Sequence, residues 1–216
     1  MEILTPESAA FFSSCFISLI VIIDPFALVP IYQGLTENDP ISEKRKIRNK
    51  AVLIATCILL SFSIFGMQIF DLFGISIAAF KIAGGILLLR MGLGQLQADR
   101  SRISDEEEEE GQNRDDISVF PLATPMLSGP GAISSVILQA GKAQSITQNS
   151  LVILSIICAM ICSWSILKLG PRLLDFTGRT GLNILTRVMG VMLTAIAIQF
   201  ILEGVSAYYF DVFAKT

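Results

Sequence analysis

The chain has 216 residues, 52% of them hydrophobic and only 16% charged, with a formal net charge of −3 and no histidine. With a strongly positive mean hydropathy, that composition excludes an ordinary soluble domain. The missing histidine and the placement of all four cysteines (Cys15, Cys57, Cys158, Cys162) inside apolar segments exclude the usual zinc sites.

The apolar residues come in blocks near or above the roughly 20 residues needed to span a bilayer, with the charges confined between them. The expected fold class is therefore all-α: a polytopic membrane protein whose main partner is the lipid bilayer, with no nucleic acid, metal or cofactor expected. Six spans are read, at 9–32, 51–70, 75–96, 117–140, 149–170 and 184–207. The first has no basic segment before it, only Glu2 and Glu7, and is too long for a signal-peptide core, so it is expected to remain as a span.

The first span contains Asp24-Pro25-Phe26-Ala27-Leu28-Val29-Pro30. An unbroken helix there would carry two prolines at about 3 kcal/mol each and a carboxylate at roughly 2.5–3.5 kcal/mol. A helix that stops before Asp24 and restarts after it avoids most of this. Asp24 then caps the new helix and Pro25 falls at its first position, where no N–H is missed.

The second span follows a basic loop holding Lys44, Arg45, Lys46, Arg48 and Lys50. In the third, Lys81 is read either as a gate or as a base that snorkels or pairs, with Glu203 of the sixth span as its natural partner. Gly84, Gly85, Gly92 and Gly94 are read as plain helix-packing positions. The acidic run Asp105–Glu110 lacks the spacing of a calcium loop and reads as a solvated linker. It divides the chain into a first three-helix repeat (1–96), an acidic cytoplasmic linker (97–116) and a second three-helix repeat (117–216).

The fourth span carries Thr124-Pro125-Met126-Leu127-Ser128-Gly129-Pro130-Gly131. Aligning Thr124 with Asp24 superposes both prolines and makes Thr124 the second cap. Cys158 and Cys162, one turn apart in the fifth span, are read as small packed hydrophobes. Trp164 is either an interfacial anchor or filler. In the sixth span Arg187-Val188-Met189-Gly190 resembles Lys81-Ile82-Ala83-Gly84, which adds Arg187 to the gating or ion-pair candidates.

Extracytoplasmic termini leave thirteen of the sixteen basic residues on the cytoplasmic side, with Lys81, Lys142 and Lys215 outside. Three spans per repeat make the second repeat inverted relative to the first, as in many secondary transporters. Two helix N-termini near mid-membrane would suit an anionic group such as an amino-acid carboxylate. The candidate binding residues are Asp24, Pro25, Thr124, Pro125, Ser128, Gly129 and Gly131, and Asp24 could instead receive an ammonium group, a proton or Na⁺.

These motifs also carry a resemblance. Ile23-Asp24-Pro25-Phe26 with Pro30, Phe73-Gly74-Ile75-Ser76 leading to Ala83-Gly84-Gly85-Ile86-Leu87-Leu88, and Pro121-Leu122-Ala123-Thr124-Pro125 with Ser128-Gly129-Pro130-Gly131-Ala132-Ile133 resemble the MarC (UPF0056-like) family of inner-membrane proteins. The likeness covers essentially the whole chain, and the acidic stretch in the third loop departs from it. It implies a six-span transporter, some relatives moving small neutral amino acids. No ATP-binding signature is present in the sequence, so the energy is expected from an ion gradient, with H⁺ or Na⁺ as the candidate coupling ion, or from exchange. The alternatives are a channel, a scaffold, or an exporter of other solutes or drugs. An intramembrane enzyme fares poorly, because no histidine can serve a nucleophile and Asp24 has no second membrane aspartate beside it.

Overall fold

The computed structural model describes residues 6–97 and 116–213. The acidic run Asp105–Glu110, the basic residues Arg100, Arg102 and Arg114, and Lys215 lie outside the described residues. Among those described, the chain is helical with no strand. In order come α1 (Pro6–Ile23), α2 (Pro25–Leu35), α3 (Ile41–Phe73), α4 (Ile77–Gln97), a loosely wound segment at Ser118–Leu127, α5 (Pro130–Lys142) and α6 (Ile146–Phe213). Gly178 divides α6, with φ 64° and ψ 175°, a conformation essentially confined to glycine. Its arms contain the apolar stretches Ile146–Phe176 (α6a) and Asn183–Phe210 (α6b).

Among the described residues five stretches are long and apolar enough to cross a membrane: Pro6–Leu35, Ile41–Phe70, Ile77–Leu96, Ile146–Phe176 and Asn183–Phe210. The region expected to be the fourth span differs. It consists of the 10-residue segment Ser118–Leu127 and the 13-residue α5, and at 1.5 Å per residue α5 covers about 20 Å, too little for a hydrocarbon core of about 30 Å.

The helix ends follow from local chemistry. At the end of α3, Gly74 adopts φ 63° and the Ile75 N–H reaches the Phe70 carbonyl at 2.9 Å, closing a left-handed glycine cap. At the end of α2, the Thr36 hydroxyl donates to the Tyr32 carbonyl at 2.8 Å, and the Tyr32 hydroxyl donates to the Lys44 carbonyl at 2.6 Å, which fixes the α2–α3 hairpin.

Helix α4 packs antiparallel against α6b, with backbone approach at glycines. A Cβ on Gly85 would lie 2.8 Å from the Ala197 carbonyl oxygen, and one on Gly190 would lie 3.2 Å from that of Gly92. The core gathers where α1, α2, the Ser118–Leu127 segment, α5 and α6a meet, around Leu19, Ile22, Leu28, Leu127, Ile137, Ile156 and Met160. Large apolar side chains such as Leu53, Phe65, Phe176 and Ile198 face outward instead, which is the pattern of a protein whose surroundings are lipid rather than water.

Candidate functional site

Asp24 is fully buried between α1 and α2. Its N–H donates to the Ile20 carbonyl at 2.9 Å and so completes α1, while its Oδ1 accepts from the Ala27 N–H at 3.3 Å and caps α2. One residue therefore ends one helix and starts the next, which requires a left-handed backbone, here φ 44° and ψ 66°. Asp tolerates that region better than most non-glycine residues, and unlike glycine it also supplies the capping oxygen. Pro25 occupies the first position of α2. Pro30 sits within α2 on its exposed side, and leaves the Phe26 carbonyl without its intrahelical donor.

In the second half the helix starts later than the Thr124 alignment expects. Thr124 is extended (φ −130°, ψ 127°) and precedes a cis bond to Pro125, as Phe120 precedes one to Pro121. Its hydroxyl donates back to the Val119 carbonyl at 3.2 Å, so Thr124 is not a helix cap. The helix begins at Pro130, with extended Gly129 in the capping place and Pro130 at the first position. Ser128 directs both its N–H (2.9 Å) and its hydroxyl (2.8 Å) to the Ala123 carbonyl, closing the wound segment.

Backbone closeness fixes the start of α5, since a Cβ on Gly129 would lie 2.3 Å from the Pro125 carbonyl oxygen. One Cβ on Gly131 would meet Leu88 at 2.5 Å and Ile22 at 3.4 Å. The second contact joins the two breaks: Ile22 is two residues before Asp24, and Gly131 is the second residue of α5. Of the sequence-predicted residues, Pro25, Ser128, Gly129 and Gly131 are buried with Asp24, and Thr124 and Pro125 are half-buried.

A second polar centre lies at the far end of α5. Lys81 Nζ of α4 stands 3.0 Å from Glu203 Oε2 of α6b, and Lys142 Nζ of α5 stands 2.8 Å from the same oxygen. Gln199 Nε2 donates to Glu203 Oε1 at 3.2 Å. Lys142 was not a sequence candidate, since nothing local to it marks a partner 61 residues away. Arg187 is exposed and lies at the opposite end of α6b from Glu203.

At the other end of the molecule two cations lie over the Trp164 ring, the Arg48 guanidinium at 5.1 Å and the Lys168 ammonium at 4.9 Å from its centroid. Its Nε1 donates to Asn49 Oδ1 at 2.8 Å. Lys50 pairs with Asp116, which also accepts from the Ser118 N–H at 3.1 Å and from the Ser118 hydroxyl. These contacts, Lys50 first, hold the Asp116 carboxyl below the usual carboxylate range.

Several long apolar helices, an outward-facing apolar surface and buried helix breaks define an integral, multi-pass α-helical membrane protein. The family model for MarC family integral membrane proteins matches residues 9–209, and the chain belongs to that family. It is similar to a UPF0056 membrane protein of Methanocaldococcus jannaschii, 41% identical over 90% of this chain and 96% of the relative, and to a second from the same organism at 39%, over 90% and 86%. The UPF0056 membrane protein YhcE of Escherichia coli is 34% identical, over 90% and 91%. No solved structure matches the chain.

Proposed function

We propose that this protein is a secondary transporter of small neutral amino acids, working by alternating access in the inner membrane. Its halves, residues 1–96 and 117–216, are inverted three-helix repeats joined by the 97–116 linker, and both termini are extracytoplasmic. The observation that carries the proposal is the meeting of two proline-started helix N-termini, α2 at Asp24–Pro25 and α5 at Gly129–Pro130, in the buried centre through Ile22 and Gly131.

A repeat relation with one register supports it. Pro25 and Pro130, each first in its helix, are 105 residues apart, and so are Gly85 and Gly190, each pressed on a carbonyl of the facing helix. The second spans packing each against the other half's broken span has the same reciprocal character. A Cβ on Gly66 of α3 would meet Ile137 of α5 at 2.5 Å, and one on Gly170 of α6a would meet Val29 of α2 at 3.0 Å.

In this reading the free N–H groups of α2 and α5 bind the substrate carboxylate, with Thr124, Pro125, Ser128, Gly129 and Gly131 forming the wall on the second side. Asp24 receives the ammonium group or the coupling ion, H⁺ or Na⁺. Burial of Asp24, Pro25, Ser128, Gly129 and Gly131 favours an occluded carrier over an open channel. The test is purified protein in proteoliposomes, given labelled glycine, alanine and serine under imposed H⁺ or Na⁺ gradients. Saturable uptake stimulated by internal substrate is expected. Linear, non-saturating flux would indicate a channel, and no flux with any of the three would withdraw the assignment.

A further inference from the structure

Arg48 is only 8% exposed, and its Nε has no hydrogen-bond partner among the described residues. A guanidinium keeps its charge at every pH the protein meets, so its burial has to be compensated in place. Part of that compensation is the face of Trp164, the chain's one tryptophan. The Lys168 ammonium stands over the same ring, so the two charges are at most about 10 Å apart and repel one another. Among the described residues neither is paired with a carboxylate: Glu43 is held by Lys46, and Asp116 by Lys50. The surface leading away from the two cations is apolar. On α6a, Trp164, Ile161 and Ile157 follow Lys168 at helical spacing along one face, and on α3 Leu53 and Cys57 follow Asn49 in the same way. Leu53, Cys57, Ile157 and Ile161 are all exposed, and the bond from Trp164 Nε1 to Asn49 Oδ1 sets the two faces side by side. Both stretches lie within segments long and apolar enough to cross the membrane, so a pair of charges sits at the head of an apolar track that runs toward mid-membrane.

We propose that the surface joining α3 to α6a at Trp164 is a binding site for one anionic phospholipid. Its phosphate accepts from the Arg48 guanidinium and the Lys168 ammonium, and an acyl chain lies along Leu53, Ile157 and Ile161. The two cations have different parts. Arg48, buried and held against the ring, fixes the position of the phosphate with a planar set of donors, whereas Lys168, exposed on a flexible stem, closes onto it as a point charge. A single phosphate between them replaces repulsion with attraction. A headgroup with net negative charge is preferred to a choline or ethanolamine one, whose ammonium would bring a third cation to the pair. The combination of charge and apolar track selects an amphiphile, because a soluble phosphate uses only the head of the site. Since α3 and α6a lie on either side of the acidic linker in the chain, a lipid seated here also holds the two parts of the protein together.

The single tryptophan reports on its own site. Purified protein is placed in phosphatidylcholine nanodiscs in which a minor fraction of the lipid carries bromine high on its acyl chains, as either phosphatidylglycerol or phosphatidylcholine. Bromine quenches Trp164 fluorescence on contact, and the ratio of the two quenching curves gives the local enrichment of the anionic lipid. Enrichment of about fivefold or more is expected, the weight of one basic residue at a membrane surface. Lys168→Met should remove most of it and Lys168→Arg should keep it. Arg48→Met should abolish it, but Arg48 is buried, so the decision rests on Lys168, whose exposed side chain can be changed without disturbing the packing. Lys46→Met, an exposed lysine paired with Glu43, should leave the enrichment unchanged. Equal quenching by the two brominated lipids overturns the proposal, and so does an equal loss in Lys46→Met and Lys168→Met, which would mean diffuse attraction to a basic surface. If inorganic phosphate abolishes the preference and chloride at the same ionic strength does not, the ligand is a soluble phosphate and the lipid assignment fails. It also fails if the preference appears only after Glu106–Glu110 are replaced by glutamine, since the acidic run is then the occupant.

Discussion

Pro25 and Pro130 hold the same place in two helices, each the first residue of a helix that starts after a break in the chain. At that position proline gives up no hydrogen bond and its fixed φ already suits the helix, so two residues costly elsewhere in a membrane helix are nearly free here. The residues before them differ in chemistry. Asp24 caps with a side chain, and Gly129 has none and is needed because the Pro125 carbonyl lies so near.

That difference leads to a stability prediction. Gly129→Ala should lower stability by about 2 kcal/mol, because the added carbon meets backbone, which cannot move aside as a side-chain tip can. Gly94→Ala is the reference: nothing lies within 4 Å of its added carbon, and a helical Gly→Ala change stabilises by about 0.5–1 kcal/mol. Thermal melting in detergent should show the two variants shifted in opposite directions. Equal shifts would mean that the close approach at Gly129 does not exist.

Much of this architecture could be read from the chain, and the failures have particular causes. The break at Asp24 was legible because a carboxylate followed by proline in an apolar run has one economical backbone solution. The break at the other copy was misplaced by five residues. Thr124-Pro125 and Gly129-Pro130 each satisfy the local pattern for a helix start, and the choice between them depends on how the chain winds from Phe120 to Ser128, which no local rule encodes. The shortness of α5 was hidden for the same reason: hydropathy counts apolar residues without asking whether they wind as one helix. Lys81 could be matched with Glu203 from their expected depth, whereas the part played by Lys142 depends on where α5 ends.

The Glu203 centre allows a test of energetic hierarchy. Glu203→Gln removes the counter-charge of Lys81, which is mostly buried, and should cost about 2–3 kcal/mol, below the 3–5 kcal/mol typical when a fully buried pair is broken. Lys142→Met, at a more exposed site, should cost less than about 1 kcal/mol. Adding Lys81→Met to Glu203→Gln should recover part of the loss. Melting temperatures of the three variants decide the matter, and a Lys142→Met loss as large as that of Glu203→Gln would contradict the assigned order.

Asp116 predicts a pH dependence. Its carboxyl is held low by Lys50 and then Ser118, so its stabilising contribution is complete above the unfolded value of about 3.9 and is lost as pH falls through the lower folded value. Asp116→Asn should therefore be less stable than the unaltered protein at neutral pH, with the gap closing only below about pH 4. The gap should also shrink in high salt, because the pair is solvent-exposed. A gap independent of both pH and salt would assign Asp116 a purely packing role.

The distribution of basic residues predicts orientation. Single cysteines placed at Glu2 and Thr216, in a protein whose four native cysteines are replaced, should react with a membrane-impermeant maleimide in intact spheroplasts. Cysteines at Lys46 and at Glu108 in the acidic linker should react only after permeabilisation. Protection of either terminus would reverse that part of the topology, and with it the inverted relation of the halves.

The sharpest prediction concerns Asp24, whose backbone and carboxylate have separable roles. Asp24→Gly adopts a positive φ without strain and costs only a few tenths of a kcal/mol as a cap, and Asp24→Asn keeps both the cap and a tolerated left-handed backbone. Asp24→Ala should be the least stable of the three, losing about 1 kcal/mol for the cap and a further 1–2 kcal/mol for a side chain forced into the left-handed region. If Asp24 serves only to join α1 to α2, transport should follow stability, with Gly and Asn near normal and Ala impaired. If its charge receives an ammonium group or a coupling ion, all three should lose transport, by roughly tenfold or more, although Gly and Asn remain folded and abundant. We expect the second outcome, with Asn also losing the response to an imposed H⁺ or Na⁺ gradient. Uptake in proteoliposomes, measured beside the melting temperature of each variant, separates the two. Normal gradient-driven uptake by Asp24→Asn would make Asp24 a structural joint and leave the N–H groups of α2 and α5 as the site.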